Sequence, residues 1–480
     1  MEMSAETIAA ETGGTVIAGD AAACARLLAN DSRTLGPGAC FVALAARRDG
    51  HDFVGDAFAR GATVALVTRA VPGVEPGGGA IVQVADAFDA LAALGKWARA
   101  QLPNANVVGI TGSVGKTSTK EFAAAALAPR FRVHATPGSF NAEIGLPISL
   151  VGAPPDTEVL VLELGARVPG DLASLCAIAR PTTGVITNVG LAHAGLLGGG
   201  EGVASEKGAL LEALPADGLA VLDAGDPATP GLVARTRAQV LLVAIGDTGL
   251  ATGSAYGLAA DVRVRSVVLD ADLRPSFQLE SPWGCGEVRL SLHGAHQVSN
   301  AALAASVALS CGVGFDDVVA AIGAVEAGPG RMEMLRASSG AAVIHDAYNA
   351  SPASMTAAVN ALASASVKGR RIAVLGEMLE LGAHADEEHA RIGRLAADSR
   401  VDLLVVVGPD ASPLAIAAIE RGVDVVEVPD ATTAFEALRD RVDADDAVLV
   451  KGSRAVGLDR VVRALTEPVR RSGTEPESGS

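Results

Sequence analysis

The sequence predicts an α/β protein of three domains, with a central, mainly parallel sheet that carries an antiparallel subsheet and a C-terminal doubly wound, Rossmann-like domain. Three observations carry this expectation. At 480 residues the chain is too long for a single hydrophobic core. Short apolar runs alternate with helical stretches, the βα signature of parallel sheets covered by helices. One of those runs, in VVGITGSVGKTSTKEF at 107–122, ends in a glycine-rich turn that opens a helix, which makes the central sheet one of the P-loop type.

Residues 1 to about 100 interleave CFVAL, ATVALVT and AIVQV with alanine-rich helical stretches, and QLPNAN at 101–106 reads as a linker. From 107, NVVGIT leads to a helix from about 116, EVLVLELG to DLASLCAIA, and GVITNVG to a helix after 201, before LAVLD and VLLVAIG. Between 260 and 293 the runs DVRVRSVVL and EVRLSL alternate, which predicts antiparallel strands. A helix over 299–311 and a hinge at GPGR, 328–331, follow. AVIHDAY, RIAVLGEM, DLLVVVG, VVEVP and AVLVKGS then form a second βα series. The expected domains are 1–103, 104–327 and 328–470, with a disordered tail, RSGTEPESGS, at 471–480.

The formal net charge of −17 repels nucleic acid and acidic membranes, so an anionic ligand needs a local basic or amide-lined pocket. Cys24, Cys40, Cys176, Cys285 and Cys311 show no CxxC spacing, which argues against a disulfide framework or a cysteine-built zinc site. The first residues, MEMSAETIAAETGG, lack the basic and apolar regions of a signal peptide, and no apolar run reaches the ~18 residues of a membrane span. The expectation is a cytoplasmic protein, and without heptads or an exposed apolar helix, a monomer. Of 38 basic residues only six are lysines, at 96, 116, 120, 207, 368 and 451. Where lysine persists in such a chain, a compact or deprotonatable amine is a reason for it.

In the opening stretch, Gly112, Ser113, Val114 and Gly115 let backbone N–H groups converge on one point, and the following helix adds its positive end. Lys116 supplies a charge for β and γ phosphates, and Thr117 and Ser118 follow it into the helix, Thr117 with a hydroxyl for Mg²⁺. The spacing departs from GxxxxGK[ST], because Ile110 stands where the first glycine belongs. The ligand expected is a nucleoside triphosphate. Glu163 closes the apolar strand EVLVLELG, where it either emerges into solvent or binds a cation that offsets its burial. His193 closes GVITNVGLAH and is a second candidate ligand. Lys207 sits in a helical pattern, where it either pairs with Glu206 or Glu212 or serves as an amine that can be carbamylated.

Taken together, TGSVGKTS (111–118), GSFNAEIGLP (138–147), the segment 162–195, GAHQVSNAALAA (294–305), GRMEM (330–334), DAYNASPASM (346–355), LGEMLELG (375–382) and VKGSR (450–454) resemble the Mur ligases. These ATP-dependent enzymes build the peptide of bacterial cell-wall precursors. The resemblance runs from about residue 30 to 460, and its last three motifs point to the member that adds D-alanyl-D-alanine to a UDP-N-acetylmuramoyl-tripeptide. It implies ATP and two Mg²⁺ ions, with Gly112 to Ser118 on the phosphates, Thr117 and Glu163 on one ion, and His193 with carbamylated Lys207 on the other. It also implies Asn300 and Arg331 at the adenine and phosphates, Asp346 near the ribose, and Asn141 near the γ-phosphate. Asp31, Ser32 and Arg33 would take the uridine diphosphate, and Tyr348 and Asn349 would lie near the peptide-joining site. Two positions depart from the family pattern: Ser351 and Ala142 stand where asparagine is usual. The alternatives are a Mur-type ligase with another incoming amine, or a nucleotide switch, although the NKxD guanine reader of such switches is missing.

Overall fold

The computed structural model describes residues 1–45, 48–246 and 258–467, so the tail expected at 471–480 lies outside the described residues. A nine-stranded sheet forms the centre, in the order Gly284–Arg289, Pro275–Ser281, Val262–Leu269, Gln239–Ile245, Leu219–Asp223, Thr183–Ile186, Asn106–Thr111, Val159–Glu163, Val133–Ala135. It is parallel from Val133–Ala135 through Val262–Leu269. The two strands beyond are antiparallel. The alternating segment therefore begins with a strand that still continues the parallel sheet, and only its last two strands make the antiparallel extension. The outermost strand, Gly284–Arg289, is an edge that carries an exposed Glu287–Arg289 ion pair.

Strands buried on both faces read as continuous apolar runs, and every residue of Val159–Glu163 and Thr183–Ile186 is buried. Helices Gly145–Val151, Asp171–Ala179 and Gly199–Glu212 cover one face. Helices Lys116–Leu127, Gln297–Ser310 and Phe315–Gly323 cover the other.

The N-terminal sheet has five strands, in the order Thr15–Gly19, Ala80–Gln83, Ala62–Val67, Ala39–Val42, Leu27–Ala29. Only its first pair is antiparallel. Helix Ala87–Ala100 places Leu91 and Leu94 in a core shared with the central sheet, and Leu102 and Ala105 of the expected linker are buried in the same core. The C-terminal sheet has six strands, ordered Glu333–Arg336, Ala342–His345, Ala447–Lys451, Arg371–Gly376, Leu403–Val407, Asp424–Val428. It too is parallel except at its first pair and has a core on each face. Among the described residues no helix is long and apolar enough to cross a membrane.

Strand order places the chemistry. Asn106–Thr111 lies between Val159–Glu163 and Thr183–Ile186, with Glu163 beside Ile110 and Ile186 beside Thr111. The residues that follow these three strands must therefore meet at one carboxyl edge, where parallel sheets hold ligands.

Candidate active site

The turn after Thr111 is built on two glycines that no other residue replaces. A Cβ on Gly112 would lie 1.8 Å from Thr187 Oγ1, and one on Gly115 would lie 2.3 Å from Asn300 Oδ1. Gly115 also holds φ at +85° as the residue before helix Lys116–Leu127, whose start has no side-chain cap. Its first amides thus face the carboxyl edge of the sheet, as anion-binding helix starts do. The turn is tied to the neighbouring strand end: Ser113 Oγ donates to Gly190 O at 3.0 Å, and Val114 N–H donates to Asn188 Oδ1 at 3.1 Å. Gly115→Ala should cost about 1–2 kcal/mol of stability through its backbone alone and weaken ATP binding at least roughly tenfold through displacement of the turn. Denaturant unfolding and calorimetric titration with ATP check both, and unchanged values in the two would contradict this packing.

Lys116 is half-buried, with its ammonium donating to Gly112 O at 2.7 Å. Burial lowers its pKa; the Glu163 carboxylate opposes that shift and the Arg331 guanidinium adds to it. Glu163 does not emerge into solvent: it is 1% exposed. One of its oxygens accepts from Thr117 Oγ1 at 2.8 Å and the other from Asn141 Nδ2 at 2.7 Å. Arg331 reaches this group from beyond the GPGR segment, donating to Ser139 Oγ at 3.0 Å, and Ser139 Oγ lies 3.5 Å from Thr117 Oγ1. Lys116, Thr117, Asn141, Glu163 and Arg331 thus form one connected cluster. Lys120 supports it from below, fully buried and donating to Thr136 O and Gly138 O at 2.7 and 2.8 Å, which fixes the loop that carries Ser139 and Asn141.

Lys207 belongs to the same neighbourhood. Its amine is buried and makes no hydrogen bond or ion pair among the described residues. The partners expected on its helix are taken: Glu206 accepts from Gly170 N and Leu172 N, and Glu212 from Arg235 Nε. Burial, and then the nearby Lys116 charge, bring its pKa down to about 7, against a smaller pull from Glu206. His193 meets the carboxylate of Glu380, a residue of the C-terminal domain, through Nδ1. Burial lowers its pKa, Glu380 resists this, and Lys116 and Lys207 lower it further.

A cleft of about 940 Å³ opens between the helix after the turn and the C-terminal sheet, lined by Thr117, Ser118, Ser139, Arg331, Tyr348 and Arg454 among others. Its size suits a small-molecule ligand. The Tyr348 ring has the Arg331 guanidinium at 3.8 Å and that of Arg454 at 5.1 Å. Asn300 packs against Gly115, accepting from Thr119 Oγ1 at 3.3 Å and donating to Gln297 Oε1 at 3.0 Å. Asp346 is held by Lys451 Nζ at 2.6 Å and accepts from Met332 N–H at 3.2 Å, and the same ammonium donates to Asn349 O at 2.9 Å. Ser32 and Arg33 follow strand Leu27–Ala29 in the N-terminal sheet, and Arg33 grips Asp31 at 2.9 and 2.7 Å. They share no hydrogen bond or ion pair with the cluster among the described residues. Glu380, Arg454, Asn188 and Lys120 were given no role from sequence, although the first three fall within the stretches LGEMLELG, VKGSR and 162–195 and Lys120 is one of the few lysines.

The comparisons agree with this arrangement. The Mur ligase middle domain matches residues 110–308, and the Mur ligase glutamate ligase domain matches residues 330–454. A UDP-N-acetylmuramoyl-tripeptide–D-alanyl-D-alanine ligase of Mycobacterium tuberculosis is 41% identical, over 91% of this chain and 91% of its own length. A crystal structure of MurF from Acinetobacter baumannii superposes with a TM-score of 0.82 at 28% identity, covering 97% of this chain and 99% of the other. MurF ligase from Thermotoga maritima in complex with ADP gives 0.74 at 30% identity, covering 92% and 97%. Sheet order, the phosphate-binding turn and similarity over nearly the whole length lead to one conclusion: the chain belongs to the Mur ligase family.

Proposed function

We propose that this chain is the ATP-dependent ligase that joins D-alanyl-D-alanine to a UDP-N-acetylmuramoyl-tripeptide in peptidoglycan precursor synthesis. The observation that carries the chemistry is the single cluster of Lys116, Thr117, Asn141 and Glu163, reached by Arg331 from the C-terminal side. The substrates follow from the relative that is similar over nearly the full length. We assign the three larger sheets to domains of 1–103, 104–327 and 328–470. These take the nucleotide-linked tripeptide through Ser32 and Arg33, ATP through residues 112–118 with Asn300, Arg331 and Asp346, and the dipeptide near Tyr348 and Asn349.

An amide does not form from a free carboxylate in water, because the leaving group is too poor. ATP therefore transfers its γ-phosphoryl group to the terminal carboxylate of the tripeptide, giving an acyl phosphate and ADP. The amine of D-alanyl-D-alanine attacks the acyl carbon, loses a proton, and phosphate departs. Lys116 and the amides of the turn hold charge on the phosphoryl group in transit. Arg331 brings the C-terminal domain onto the same phosphates, which excludes water from an intermediate that hydrolyses readily.

The donor set suits magnesium. Among the described residues no three His, Cys, Asp or Glu side chains converge into a cation cage. Magnesium seldom needs one, since it takes one or two protein oxygens and completes its shell with phosphates and water. Thr117 and Glu163 would hold one ion, and His193 with Lys207 as its carbamate a second. Bound there, the ions offset the negative charge of the triphosphate and carboxylate so that the two can approach.

With ATP and UDP-N-acetylmuramoyl-tripeptide present, phosphate release should require D-alanyl-D-alanine and stay at background with D-glutamate or meso-diaminopimelate. Release driven by either of those amines, each tested with its own acceptor, would assign the chain to another step.

A further inference from the structure

The contact between His193 and Glu380 joins two residues 187 positions apart, in loops that follow strands of different sheets. Each sits in a backbone conformation that side chains disfavour, with φ of 60° at His193 and 65° at Glu380. Strain of this kind persists only where the surroundings enforce it, and it gathers at functional contacts. Here both surroundings are rigid. The loop bearing Glu380 is anchored in the C-terminal domain: Met378 N–H donates to His389 Nε2 at 2.9 Å and Leu379 N–H to Ser453 Oγ at 3.1 Å. The loop bearing His193 is tied to the phosphate-binding turn through Ser113 and Gly190, and Val189 N–H donates to Asp226 at 2.6 Å.

Gly195 N–H donates to Glu380 O at 3.3 Å, and a Cβ on Gly195 would come within 2.6 Å of Gly382 N. Two glycines thus let the backbones close to a distance at which the histidine ring and the carboxylate meet. Glu380 is 40% exposed, so burial of its own side chain does not account for the contact.

We infer that Glu380 is a positioning residue for His193, so that docking of the C-terminal domain orients the imidazole that completes the second magnesium site. The inference rests on the metal reading given above. A carboxylate on one ring nitrogen fixes which nitrogen remains for the ion and where it points, and removal of such a partner typically weakens metal binding roughly 10- to 100-fold. The C-terminal domain would then control the metal site as well as carry the incoming amine.

The test counts Mn²⁺ ions by electron paramagnetic resonance on the full chain, with a non-hydrolysable ATP analogue and UDP-N-acetylmuramoyl-tripeptide. Wild type should bind two ions. Glu380→Ala should bind the first unchanged and the second roughly 10- to 100-fold more weakly, and Glu380→Gln, which keeps an acceptor oxygen, should recover part of the loss. Gly195→Ala, which touches no ligand but keeps the loops apart, should show the same weak second ion. His193→Ala separates the two levels of the reading. If it loses the second ion while Glu380→Ala keeps wild-type affinity, the positioning role is wrong. If His193→Ala itself retains both ions, the metal reading falls and takes this inference with it.

Discussion

Lys116→Ala should leave a folded chain that no longer turns over ATP, with kcat/KM reduced roughly 100- to 1,000-fold or more. Its ammonium is seated inside the phosphate-binding turn, where its one hydrogen bond among the described residues goes to the Gly112 carbonyl of that turn. A fixed charge at that point stabilises a phosphoryl group in transit far more than it does in water, because the bound substrates displace water from the site. Stability should move the other way. Partial desolvation disfavours this ammonium and lowers its pKa, so its deletion removes a cost to the fold. The expected pair of results is lost phosphate release with a melting temperature equal to or above that of wild type. Retained turnover would remove Lys116 from the mechanism, and a large drop in melting temperature would mean that its role is in packing.

Lys207→Arg should be nearly inactive although the formal charge is kept. The amine is buried, unpaired among the described residues and held at about 7, so a substantial neutral fraction exists at physiological pH. A neutral amine adds carbon dioxide to become a carbamate, with loss of one proton; guanidinium does not deprotonate and cannot. Arginine would also place a permanent charge where the fold disfavours one, at a cost on the order of a few kcal/mol. Lys207→Met separates the two effects. It should keep the melting temperature and still lose roughly 100-fold or more of the rate. High bicarbonate should rescue neither variant, and ¹³C-labelled bicarbonate should give a carbamate signal in wild type alone. Wild-type rates in Lys207→Arg would exclude the carbamate.

Much of this was legible in the residue order, and the reasons are local. Glycines, a lysine and a hydroxyl residue at the junction of strand and helix specify a phosphate-binding turn wherever they occur together. Runs such as VLVLE and LLVVV announce strands covered on both faces. What was not legible depends on partners distant in sequence. The Lys207 alternatives could be narrowed only once Glu206 was seen capping the helix that starts at Asp171, a contact across 34 to 36 positions. The Lys451 ammonium that holds Asp346 lies 105 positions away. Glu380 lies in the motif stretch LGEMLELG, yet its role was not legible, since a carboxylate in a loop is ordinary until the fold brings a histidine against it. The linker expected at 101–106 illustrates the converse: a Pro-Asn stretch reads as a joint, yet Leu102 and Ala105 are packed into the core that the first two sheets share. Relative movement is therefore more readily accommodated near GPGR than at 104.

The outermost strand of the central sheet has a bearing on handling. Among the described residues Gly284–Arg289 has a neighbouring strand on one side only and lies beside the exposed Trp283, the kind of border on which another copy could stack. Glu287 and Arg289 stand on that border, and their hydration opposes such stacking. A preparation in which both are neutralised would be the first to turn cloudy on concentration, with its catalytic machinery intact.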